Sequence, residues 1–109
     1  MFARVAVYDV PADRLDDAVA GLGGAIEEIA GFEGLHDAYV LVNRDTGRAM
    51  TLTLWSTPDS MLRSRVQATR LRNEAAQSGG ADIVSVEEFQ IARHQSFAAA
   101  PQTGANGAQ

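Results

Sequence analysis

The chain has 109 residues, nine basic and fourteen acidic, for a formal charge of −5 at pH 7. That length allows one domain, burying about 60–68 % of the surface its unfolded form would expose. With no cysteine, disulfides, thiolate nucleophiles and Cys-ligated metals are excluded, and the acidic balance argues against general nucleic-acid binding, which demands a basic face.

From the start, Phe2–Val10 is rich in β-branched and aromatic residues and predicts a first strand, stopped by Pro11. Asp13 is a candidate N-cap, and Asp16 and Asp17 suit the positive end of a helix dipole. Leu15, Ala18, Val19, Leu22, Ile26 and Ile29 recur at three- and four-residue spacing, so a first helix follows, ended by Gly31. A second strand is expected near Leu35–Val42 and a third near Ala49–Trp55, joined by a hairpin at Asp45–Thr46–Gly47. Thr57 as N-cap and Pro58 at the first helical position open a second helix, expected over Pro58–Ala76 and broken by Ser78–Gly79–Gly80. A fourth strand is expected near Asp82–Ala92. Residues 1–94 should form the domain and 95–109, poor in anything to bury, a disordered tail.

No apolar run approaches the roughly 18 residues that span a bilayer. Met1 leads directly into the first strand without a basic leader or cleavage site, so a cytoplasmic location is expected. All nine basic residues are arginine, as expected from a GC-rich genome such as an actinobacterium's.

Two helices can cover only one face of a four-stranded sheet. In strand three Met50, Leu52 and Leu54 alternate with Thr51, Thr53 and Trp55, and neither set is charged. Strand one is apolar on both sides. A second copy of the chain is therefore expected to shield the remaining face, where Thr53 and its neighbours are placed.

Several residues have the chemistry to act on a ligand, and each also has a structural reading. Trp55, the one tryptophan, could stack on an aromatic molecule or pack between sheet and helix. Tyr39 and Tyr8 could donate to a quinone or phenolate oxygen, or be satisfied by backbone. His36 is the better histidine for proton transfer, because His94 falls near the tail. Two isolated histidines do not make a metal site. Arg63, Arg65, Arg70 and Arg72 make the second helix basic; Arg63 and Arg70 share a face and could clamp an anionic oxygen, or pair with acids such as Glu74. Glu87 and Glu88 point to opposite faces. Gly21, Gly23 and Gly24 should together weaken the first helix by roughly 3 kcal/mol. Close approach of a neighbour, space for a ligand, or a mobile helix would account for them.

The order β-α-β-β-α-β, the turn Gly31–Phe32–Glu33–Gly34 after helix one, and Trp55–Ser56–Thr57–Pro58–Asp59 at the start of helix two resemble the antibiotic biosynthesis monooxygenase-like family. The likeness spans roughly residues 2–92. Family members commonly place Pro before the glycine turn, where this chain has Ala30. The resemblance implies an α+β ferredoxin-like fold, a homodimeric α+β barrel, and a site between sheet and helices for a small apolar or aromatic molecule. It also implies oxygenation without a metal, flavin or other cofactor. Trp55 and Tyr39 match the expected constellation, but Thr51 stands where oxygenase members carry Asn. The haem-degrading branch fits poorly, since strand one offers Val7 and Tyr8 and helix two has neither Trp nor His. The expected catalytic residues are His36, Tyr39 and Trp55, with Tyr8, Thr51, Arg63 and Arg70 binding substrate. A non-catalytic dimeric binding or structural protein, and a lactone isomerase, are the alternatives.

Overall fold

β1 (Phe2–Asp9), β2 (Leu35–Asn43), β3 (Arg48–Trp55) and β4 (Asp82–Gln90) pair antiparallel in the order β2-β3-β1-β4. α1 (Leu15–Glu28), α2 (Pro58–Arg63) and α3 (Arg65–Gly79) complete the β-α-β-β-α-β order, with the second helical segment in two pieces. The computed structural model describes residues 1–97. Gln95–Phe97 are exposed and irregular; the rest of the expected tail lies outside the described residues.

Period-two alternation decides what each strand buries. The register sets Arg4 beside Thr53, Ala6 beside Thr51 and Tyr8 beside Ala49. Ala6, Tyr8 and Ala49 form one core with Val10, Leu15, Ala18, Leu22 and Ala75, so this face meets the helices. On α1 the buried Leu15, Ala18 and Leu22 follow the expected helical spacing. Truncating a side chain buried like Leu22 to Ala typically costs about 2–5 kcal/mol.

The opposite face carries Val5, Val7, Met50, Leu52 and Leu54, flanked by Tyr39, Leu41 and Phe89. No helix covers it: Tyr39, Leu41 and Phe89 are 46, 44 and 46 % exposed. The expectation for the uncovered side is thus corrected. Thr53 is 8 % exposed and Trp55 fully buried beneath the helices, whereas the open side is the aliphatic one.

The ends of the elements differ locally from expectation. Asp13 lies in a 3-10 turn and does not cap α1, which begins at Leu15 without a side-chain cap. α1 stops at Glu28, before Gly31. The glycine that the following turn requires is Gly34, at φ +85°, where a Cβ would sit 2.2 Å from Ser60 Oγ. Thr57 does cap α2, accepting from Ser60 N at 3.1 Å.

The helix expected over 58–76 breaks at Ser64 for a chemical reason. The Met61 carbonyl accepts from Arg4 Nη2 at 2.8 Å and from Ser64 Oγ at 2.7 Å. Side chains thus occupy an acceptor that an uninterrupted helix would offer to Arg65 N–H.

The glycines of α1 divide. A Cβ on Gly21 would sit 3.3 Å from the Ala75 carbonyl oxygen, and one on Gly79 would sit 2.8 Å from Ala18 Cα. These two positions let α1 and α3 approach closely. Gly23 and Gly24 have nothing within 4 Å of a built Cβ, so close approach does not account for them.

Candidate functional site

A cavity of about 50 Å3 lies between sheet and helices. Its wall is apolar, including Leu22, Ile26, Ile29 and Leu71, while its floor brings together Arg4, Tyr8, Thr51, Thr53 and Arg72. β1 and β3 supply four of those polar groups because their same-face residues are direct cross-strand neighbours.

Arg4 is the anchor of this floor. It is 5 % exposed, and a charge so buried is costly unless fully partnered. Its Nη1 donates to Ser64 Oγ at 3.0 Å, its Nη2 to the Met61 carbonyl at 2.8 Å, and its Nη2 and Nε to Glu88 Oε2 at 2.9 and 3.2 Å. Its guanidinium carbon also lies 5.7 Å from the centre of the Trp55 ring. Glu88 additionally accepts from Arg65 Nε at 3.1 and 3.2 Å. Hydrogen bonding from Arg65 above all pulls the Glu88 carboxyl down to about 2; burial opposes it, and the hydrogen bond and charge of Arg4 add to the lowering.

Tyr8 is 1 % exposed, and its hydroxyl is 3.1 Å from Thr51 Oγ1. Burial raises its pKa, partly opposed by the Thr51 hydrogen bond and the nearby Arg72 charge. It therefore stays protonated at neutral pH and can donate. Burial lowers the Arg72 pKa, and its neighbour Arg4 adds to that, while Tyr8 and Glu88 oppose it.

Of the seven residues expected to act, Tyr8 and Thr51 line the cavity. Trp55 is fully buried on the same face but supports the floor from behind: its Nε1–H donates to Thr53 Oγ1 at 3.0 Å. Tyr39 lies on the opposite face, paired with Leu52, because its position has the other parity in β2. His36 is exposed on the edge strand, its Nδ1 3.3 Å from Asp37 Oδ2. Arg63 and Arg70 face outward, paired with Asp59 at 2.9 Å and Glu74 at 3.1 Å.

Arg4, Arg72 and Thr53 were not among the expected site residues. Arg4 had a signal: it is the single basic residue in an apolar strand, with the same parity as Tyr8. Arg72 had one too. Asp59 precedes Arg63 and Glu74 follows Arg70 at the four-residue pairing distance, but Arg72 has only Ala68, Thr69, Ala75 and Ala76 at such positions. Among the described residues no three His, Cys, Asp or Glu side chains gather as metal ligands. No described helix is long and apolar enough to cross a membrane.

A Deinococcus radiodurans protein assigned as an antibiotic biosynthesis monooxygenase superposes with a TM-score of 0.73 at 11 % identity, over 91 % of this chain and 100 % of that one. SnoaB from Streptomyces nogalater, a cofactor-independent oxygenase crystallised as a mutant, superposes at 0.65 with 13 % identity, over 85 % and 94 %. The structural neighbours are antibiotic biosynthesis monooxygenase proteins. The chain shares their α+β architecture, that of the dimeric α+β barrels. At these identities the likeness to the antibiotic biosynthesis monooxygenases is one of fold. In sequence, the chain is 30 % identical over 90 residues to the uncharacterized protein Rv2557 of Mycobacterium tuberculosis. That match covers 82 % of this chain but only 40 % of the length of the curated relative. No protein-family model matches.

Proposed function

We propose that the chain is a cofactor-independent monooxygenase for a small aromatic or quinone-type compound that ionises at oxygen. The observation that supports this reading is the convergence of two guanidinium groups and a protonated phenol, Arg4, Arg72 and Tyr8, on a cavity with an apolar wall. Thr51 stands where Asn was expected, yet other polar groups reach the same space.

In this reading Tyr8 donates to the substrate oxygen, and the Arg72 charge favours its anion. The chemistry balances without an external reductant. A methylene carbon beside the ring loses one proton to solvent, and the carbanion combines with O2 to form a peroxide. After protonation, loss of water carries off the second hydrogen and leaves a carbonyl. All four electrons that reduce O2 to one carbonyl oxygen and one water come from the substrate.

The alternative, a binding or structural protein of the same fold, is favoured by the size of the cavity. About 50 Å3 is room for a few waters. Turnover therefore requires the wall at Ile26 and Ile29 to move outward. Oxygen uptake with anthrone-like and naphthol-like compounds separates the readings: Tyr8→Phe should lower the rate by about 100-fold. No uptake with any compound leaves the binding reading.

We further infer that the open sheet face docks on a second copy of the chain. A continuous set from Val5 and Val7 through Met50, Leu52 and Leu54 is too apolar to be a solvated face. Sedimentation at micromolar concentration should give a dimer, and a single subunit would overturn this reading.

A further inference from the structure

A second cavity shares two lining residues, Arg4 and Arg72, with the first. It is an outer cleft of about 360 Å3, bounded by Arg4, Arg65, Thr69, Arg72, Val86 and Glu88. Three guanidinium groups and one carboxylate give it a formal charge of +2 (three minus one), in a chain whose net charge is −5. Such a concentration of positive charge attracts anions.

The three arginines are not equivalent. Glu88 is shared by Arg4 and Arg65. Arg14, Arg44, Arg48, Arg63 and Arg70 likewise each have an acidic partner. Arg72 has no carboxylate within 4.0 Å among the described residues, although it is half-buried. A partly desolvated guanidinium that meets the neutral Tyr8 hydroxyl but no carboxylate is a standing cost, which a bound anion would relieve.

We propose that the ligand of this site carries a carboxylate, held by Arg72 in the outer cleft while its apolar or aromatic part enters the inner cavity as the apolar wall moves outward. This rests on the aromatic-substrate reading above and narrows it from neutral phenols to aromatic acids. A carboxylate fits better than a phosphate because of how the donors are already used. Glu88 engages both Arg4 and Arg65, which leaves Arg72 as the guanidinium of the cleft with no carboxylate to bind. Its planar fork matches a singly charged, two-oxygen acceptor. Thr69, on the same rim, offers a hydroxyl to the same group.

Calorimetric titration of the full chain at pH 7 with salicylate, phenol and phenyl phosphate tests this directly. Salicylate should bind at least about ten-fold tighter than phenol, and tighter than phenyl phosphate. Arg72→Gln should abolish the difference. Arg70→Gln removes the same charge at an outward position and should preserve it. If Arg72→Gln does not fold, Arg72→Lys, which keeps the charge but loses the fork, should still reduce the preference.

Equal affinity for salicylate and phenol, a preference that survives these Arg72 substitutions, tighter binding of phenyl phosphate, or no heat with any ligand at millimolar concentration overturns the proposal. The titration reads binding without turnover. Oxygen uptake on neutral phenols with no carboxylate preference would sink this inference alone. A carboxylate preference without uptake would sink the oxygenase reading alone.

Discussion

The two faces of the sheet are inverted relative to a simple amphipathic layer. The face beneath the helices holds Arg4, Tyr8, Thr51 and Thr53, while the face without helices holds Val5, Val7, Met50, Leu52 and Leu54. Hydrophobic burial alone would exchange them. Polar groups placed inside, each with partners, point to a site; aliphatic groups left outside point to a partner. The difference teaches that the polar network is satisfied within one chain, while the aliphatic face is left to the proposed second copy.

The largest effect is expected from breaking the covered face at its anchor. Arg4→Ala leaves Glu88, the Met61 carbonyl and Ser64 without their buried donor, and should cost about 4 kcal/mol in denaturant unfolding. A loss below about 1 kcal/mol would mean that the network is dispensable. On the open face, Leu52→Glu should weaken self-association by more than about 100-fold in sedimentation, roughly 3 kcal/mol. The fold itself should survive, because this position already meets solvent in one subunit.

Glu88 sharpens the comparison through pH. Its folded pKa, about 2, lies below the ordinary value of 4.5, so its ionised form stabilises the native state. That contribution is complete above about pH 5 and is lost as pH falls from there through 2. Wild-type urea stability should therefore drop by about 2 kcal/mol across this window beyond the loss seen in Glu88→Gln. Parallel profiles would show that the ion pair contributes nothing. The smallest effect belongs to the helix over the cavity. Gly24→Ala should stabilise by up to about 1 kcal/mol, since its Cβ meets nothing within 4 Å. A decrease would show that this part of α1 needs its glycine.

The fold was legible because its signals are local. Thr57 and Pro58 start a helix by their own chemistry, and alternation in β1 and β3 is complete within each strand. The break at Ser64 was not legible, since it depends on Arg4, sixty positions away. The site was half legible for the same reason. Tyr8 and Thr51 share a face through pairing of β1 with β3, but the parity of Tyr39 has meaning only once the helices have chosen a side. Trp55 resolves into a prop for Thr53 because its Nε1–H finds its acceptor two residues back along its own strand. Arg63 and Arg70 drew notice by their spacing, while the informative property was the acid that Arg72 lacks.

β1 is flanked on both edges, by β3 and β4, and it carries Arg4 and Tyr8. Its amide hydrogens should therefore be among the slowest in the molecule to exchange with deuterated solvent, while those of α1 around Gly23 and Gly24 exchange early. The base that would grip a ligand thus outlasts the roof above it. Local opening can widen the chamber from above without loosening the residues proposed to hold a ligand.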